Sequence, residues 1–177
     1  LTGWVELATF ANTAASADLV KVLLVFFERW GAAEEISIDG ASNLNSQEFR
    51  EFLKRWNVKY RLSSAHYPQS NGRAEDAVKT LKRLIKGNVG RQGSISTEKI
   101  ARALLQHRNT PLRDCNKSPA ELALGRALRD GIPLPNARYC ISNDWAEYLK
   151  KREKLMTESA QATKMKYDKH AKDLPEL

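Results

Sequence analysis

Apolar residues along this chain change period several times, and each change marks an element. Val5, Leu7 and Thr9 alternate with Trp4, Glu6 and Ala8, which predicts a strand over residues 3–10. From Ser16 the period lengthens. Leu19, Val22, Leu23, Phe26, Phe27 and Trp30 recur at helical spacing, with Ser16 as N-cap and Gly31 as the stop. Residues 35–39 read as a short buried strand. Ser46 caps a second helix through Trp56, with Phe49, Phe52, Leu53 and Trp56 on one face. Val58, Tyr60 and Leu62 then alternate in a third strand over residues 58–63. Strands and helices in alternation predict an α/β sheet.

Past residue 63 the pattern becomes helical. Residues 64–72 are rich in Ser, Pro, Asn and Gly and read as a loop. A helix follows from Arg73 to Asn88, then a glycine-rich turn at residues 90–94. Ser96 to Arg108 forms another helix, with Ile100, Ala103, Leu104 and His107 facing inward and Pro111 ending it. Pro119 opens a short helix to Leu124. Residues 129–142, with Pro133 and Pro135, are irregular. Residues 143–172 form a long charged helix with Trp145, Leu149, Arg152, Met156 and Thr163 along one stripe. The expected organisation is a domain over residues 1–128, a linker over 129–142 and the charged helix over 143–177.

Composition adds a partner class. The 177 residues are 42% hydrophobic, enough for a core, and carry a net charge of +8, which favours polyanions. The excess is uneven. Residues 1–90 hold 12 basic and 10 acidic residues, residues 91–142 hold 9 and 4, and residues 143–177 hold 8 and 7. Cys115 and Cys140 make no disulfide framework or Cys-x-x-Cys pair and fit a reducing compartment. The apolar run Val22 to Phe27 is too short to span a bilayer, so no membrane partner is expected.

The candidate chemistry lies in two carboxylates. Asp39 ends the strand-like run Glu35-Ile36-Ser37-Ile38, and Glu75 opens the basic helix, with 35 residues between them. Each alone is an ordinary turn or helix-start acid. A strand-end and a helix-start carboxylate can converge in an α/β fold, and convergent carboxylates suit a hard divalent cation and phosphodiester chemistry. Beyond Glu75, the cations Lys79, Lys82, Arg83, Lys86 and Arg91 follow with no acid between residues 77 and 91. Glu75, Lys79, Lys82 and Lys86 fall on one helix face, opposite the apolar set Val78, Leu81, Leu84 and Ile85.

Two stretches carry a family likeness: Ile38-Asp39-Gly40-Ala41-Ser42-Asn43-Leu44-Asn45-Ser46-Gln47-Glu48-Phe49, and Ser63-Ser64-Ala65-His66-Tyr67-Pro68-Gln69-Ser70-Asn71-Gly72-Arg73-Ala74-Glu75. Arg108-Asn109-Thr110-Pro111 and Ser118-Pro119-Ala120-Glu121 echo it more weakly. Over roughly residues 1–128 the chain resembles the catalytic core of DDE integrases, most closely those of gypsy-type LTR retrotransposons. The resemblance implies an RNase H-like fold: a mixed sheet flanked by helices, here without its first strands and with a helical C-terminal extension. It places the family's first Asp roughly 15–25 residues before Leu1, which predicts a fragment or processed piece with an exposed sheet edge. The His-His-Cys-Cys zinc module that precedes such cores is not in this sequence.

By the same resemblance, Asp39 and Glu75 are the catalytic and metal-binding residues, with Mg²⁺ or Mn²⁺ as cofactor in a two-metal site once the triad is complete. The implied reactions are DNA end processing and strand transfer, without a covalent protein–DNA intermediate. Lys79 and Lys82 match DNA-contacting lysines of the family. Arg83 and Lys86 extend that face, and His66, Tyr67, Gln69, Ser70 and Asn71 are loop contacts to DNA. The partners are the element's DNA ends, target DNA and further copies of the chain, and the site of action is the nucleus. Asp39-Gly40-Ala41 departs from the Asp-Asn-Gly of many integrases. A catalytically inactive remnant or host-adopted DNA-binding module is the alternative, and an RNase H-type nuclease a third reading.

Overall fold

The computed structural model describes residues 1–10, 12–38, 41–62, 72–88 and 96–168. The chain divides into two compact units, one of Glu6–Arg83 and one of Leu1–Val5 with Leu84–Leu177.

The first unit is built on α1 (Ser16–Trp30), β1 (Glu35–Ile38), α2 (Gln47–Arg55) and β2 (Lys59–Leu62). β1 and β2 pair in parallel, Glu35 opposite Lys59 and Ile38 opposite Leu62, with α2 as the crossover between them. α2 follows its sequence closely. The Ser46 hydroxyl accepts from the Phe49 amide at 3.2 Å, and Phe49, Phe52 and Leu53 are all buried. They pack with Phe27 of α1, Ile38 of β1 and Val58 into one core. The Phe27 and Phe52 rings stack with centroids 5.9 Å apart, and Trp56, itself partly exposed, lies 5.3 Å from the Phe27 centroid.

Three details depart from the pattern. Ala15, not Ser16, is the N-cap of α1. The Asp18 carboxylate accepts the Ala15 amide at 3.2 Å, and the Ser16 hydroxyl donates instead to the Asn43 carbonyl at 2.9 Å. β1 is only partly buried: Ile38 is enclosed, Ile36 half-buried, and Glu35 and Ser37 exposed. Residues 3–10 form no strand. A strand needs ladder partners along its carbonyls, and in and just before this stretch two carbonyls are taken by arginine side chains instead. Arg152 donates to Leu1 O at 3.0 Å and Arg108 to Val5 O at 2.7 Å, while Gly3 turns the chain at φ +67°.

In the second unit, Leu1–Val5 is joined by α4 (Thr97–Asn109), α5 (Pro119–Leu124), a 3₁₀ turn (Asn136–Tyr139) and α6 (Trp145–Asp168). Ser118 and Glu121 cap α5 reciprocally, hydroxyl to amide at 3.2 Å and carboxylate to amide at 2.9 Å, with Pro119 in the first turn. Gly125 ends α5 in the left-handed region, φ +73°, and a Cβ there would sit 2.9 Å from Ile141 Cγ2 and 3.0 Å from Trp145. α6 buries Arg152 and half-buries Trp145, Tyr148, Leu149 and Met156, whereas residues 157–166 are exposed throughout, Thr163 included. The last residues of the expected 143–172 helix lie outside the described residues.

Candidate nucleic-acid interface

Helix α3 (Gly72–Gly87) carries the predicted cationic face. Glu75 stands in its first turn, where a carboxylate complements the positive end of the helix. At about 100° per residue, Glu75, Lys79, Lys82 and Lys86 fall within an arc of about 60°, with Arg83 about 40° beyond its edge. All five are exposed. Ala77, Thr80, Leu81, Leu84, Ile85 and Asn88 are half-buried and occupy the opposite arc. Val78 was expected on the apolar side but is 46% exposed, because its position falls at the edge of the half-buried arc. Ala77 and Thr80 take that place.

Along this face Lys79 pairs with Asp76, Nζ to Oδ1 at 3.8 Å, with both side chains open to solvent. Such a pair holds the ammonium weakly and leaves it free to meet another anion. Lys82, Arg83 and Lys86 extend the line. A row of cations repeating with the helix along an exposed face is suited to a phosphate backbone.

Asp39, the loop residues His66, Tyr67, Gln69, Ser70 and Asn71, and Arg91 with the glycine-rich turn lie outside the described residues. Among the described residues no group of three or more His, Cys, Asp or Glu side chains is arranged to hold a metal ion. Asp39 directly follows Ile38, the last residue of β1, in the sequence. Both Asp39 and Glu75 supply oxygen donors, the type that Mg²⁺ and Mn²⁺ take.

The weaker sequence echoes hold up the second unit. Asn109 donates to Leu128 O at 2.8 Å and accepts from Leu128 N at 2.9 Å. The Arg108 guanidinium lies 4.4 Å from the Trp4 ring centroid while binding Val5 O. Arg152, read from the sequence only as part of a stripe, is a buried cation bound to Asp114 Oδ2 at 2.8 Å. That guanidinium holds the Asp114 carboxyl below the usual carboxylate range. A charged residue interrupting an apolar stripe was the available signal for it. On α4, burial and the neighbouring Arg108 charge lower the His107 pKa, disfavouring the charged imidazolium.

No protein-family model matches the chain. The chain is 32% identical over 131 residues to an uncharacterized protein of Caenorhabditis elegans, covering 73% of this chain. It is 28% identical over 124 residues, 70% of this chain, to a Pol polyprotein of feline endogenous virus ECE1. The chain spans only 10% and 12% of the length of these two relatives. Among solved structures, it is similar to a chain of a simian T-cell lymphotropic virus intasome in complex with a PP2A regulatory subunit. There the TM-score is 0.58 at 21% identity, covering 73% of this chain and 46% of that one. The catalytic core domain of BIV integrase aligns with TM-score 0.56 at 18% identity, over 70% of this chain and 79% of that one. The HTLV-2 integrase catalytic core, solved with magnesium in a dimeric form, gives 0.51 at 16% identity, over 68% and 75%. No helix among the described residues is long and apolar enough to cross a membrane. With a Pol polyprotein among its sequence relatives, the chain has the RNase H-like fold of integrase catalytic cores.

Proposed function

We propose that the chain is the catalytic-core segment of a gypsy-type retroelement integrase, acting on DNA ends and target DNA by metal-dependent phosphoryl transfer. The observation that carries this reading is the exposed face of α3, which sets Glu75 in line with Lys79, Lys82 and Lys86 opposite a half-buried face. On this reading the lysines and Arg83 bind phosphates on either side of the reacting one and hold its position relative to Glu75. Asp39 and Glu75 are the residues that would hold Mg²⁺ or Mn²⁺. Such an ion would supply Lewis-acid chemistry toward the attacking and leaving oxygens. His66, Tyr67, Gln69, Ser70 and Asn71 would bring a DNA end to that position. DNA as the substrate makes the nucleus the site of action, and joining two ends to one target calls for more than one copy of the chain.

Binding of a labelled DNA duplex across a salt series tests the reading directly. Replacing Lys79 and Lys82 with Glu should weaken binding and make the slope of log K against log salt less steep by about 2. An unchanged slope would sink it. A strand-transfer assay with DNA ends then separates joining from the simple hydrolysis expected of an RNase H-type nuclease, and binding without either reaction would favour a DNA-binding module.

A further inference from the structure

The basic excess of the sequence is centred on residues 91–142, beyond α3, and the fold gathers three of its cations in one place. Within the second unit Ala127 N donates to Arg138 O at 2.9 Å, and Ser142 N donates to Gly125 O at 2.9 Å. These two rungs lay the chain after α5 alongside the chain before α6. Arg126 adjoins the first rung and Arg138 forms half of it. Arg129 sets its guanidinium over Tyr139, 5.2 Å from the ring centroid. Three arginines thus stand within two residues of a single backbone hydrogen bond.

Few acids oppose them. Asp130, the sole acid between residues 125 and 142, is committed elsewhere: it accepts from Asn109 at 3.1 Å and from the Ile132 amide at 2.7 Å. Glu121 meets Arg138 at 3.0 Å but shares its charge with the Ser118 amide. Among the described residues no carboxylate pairs with Arg126 or Arg129. Tyr139 is held in place by the Leu134 amide, which donates to its hydroxyl at 3.2 Å. Exposed Arg129 is therefore pre-placed on a fixed ring, with the N–H fork that matches a phosphate.

We infer that Arg126, Arg129 and Arg138 form a second phosphate-binding surface, other than α3, that takes the backbone of a nucleic-acid duplex. Because Arg129 lies over one face of Tyr139, that face is closed to the stacking of an unpaired base, which favours duplex over single strand. The inference needs no phosphoryl-transfer activity and stands whether or not α3 contacts DNA.

Anisotropy of a labelled duplex of arbitrary sequence with the full chain provides the test. Arg126→Gln/Arg129→Gln/Arg138→Gln should make the log K against log salt slope less steep by about 2–3, at about 0.9 per phosphate contact. The loss should add, in log K, to that of the Lys79 and Lys82 replacements. Because Arg138→Gln also removes the Glu121 pair, Arg129→Gln alone serves as a second variant, and its slope should fall by about 1. Unchanged slopes in both variants, a loss confined to the triple variant together with a lowered Tm, or a larger loss against single strands than against duplex would each overturn the inference.

Discussion

Asn109 grips the backbone of Leu128 from both sides, its amide nitrogen on the carbonyl at 2.8 Å and its oxygen on the N–H at 2.9 Å. A side chain here does what a neighbouring strand would do, and it ties the end of α4 to the segment after α5. Asn109→Ala should lower the denaturation midpoint, at a cost of about 1–3 kcal/mol for each half-buried backbone group left unpaired. Asn109→Asp should do no better, because its carboxylate would face both Leu128 O and Asp130.

Gly125→Ala should also destabilise the second unit. The left-handed backbone alone costs a non-glycine residue about 1–3 kcal/mol. The added methyl would in addition press on Ile141 Cγ2 and the Trp145 ring. A lowered Tm, with α5 retained in the far-UV circular dichroism, is the expected result.

Phe52→Ala should be the most damaging change in the first unit. Phe52 is 2% exposed and packed between Phe27 and Phe49. Truncating such a ring costs about 3–5 kcal/mol, enough for chemical denaturation to show it plainly.

Asp76→Asn is expected to act in the opposite sense on DNA. Asp76 draws Lys79 to 3.8 Å at an exposed position, so its neutral form should leave fold stability nearly unchanged and tighten duplex binding by about two- to threefold at low salt. Weaker binding by this variant would count against α3 as a DNA-contacting face.

Acid should loosen the second unit in two stages. The folded pKa of His107 lies below the ordinary 6.5, so the unfolded chain takes up its proton first. Its contribution is fully present above 6.5 and falls as the pH drops from there towards the folded value. Asp114 has a folded pKa below the ordinary 3.8, so its contribution is full above 3.8 and is lost as the pH falls through the folded value. Denaturation midpoints measured against pH should lose the first stage in His107→Gln and the second in Asp114→Asn.

What the sequence made legible depended on how local the deciding interaction was. α2 could be read whole, because cap, period and core residues lie within one short stretch. The cationic face of α3 followed from spacing alone. The start of α1 missed by one residue because Ser16 is engaged by Asn43, 27 positions away. Alternation suggested a strand over residues 3–10, but periodicity says nothing about where carbonyls bond, and those of Leu1 and Val5 belong to arginines 151 and 103 positions on. The Arg126, Arg129 and Arg138 cluster stayed hidden for the same reason, since it exists only once Ala127 and Arg138 have met.

The arginine ties to Leu1 and Val5 bear on the order of assembly. Glu6–Arg83 is inserted, in chain order, between two parts of the other unit. On a ribosome that inserted stretch can condense early, through contacts of modest sequence separation. Its host must wait until Arg152 has been synthesised before Leu1 finds its donor, and such late, long-range closure is the slow step expected of a non-local fold. Until Arg108 and Arg152 are both made, Leu1–Val5, with Trp4 among them, waits for its donors, a segment for which a chaperone and a misfolded neighbour would compete.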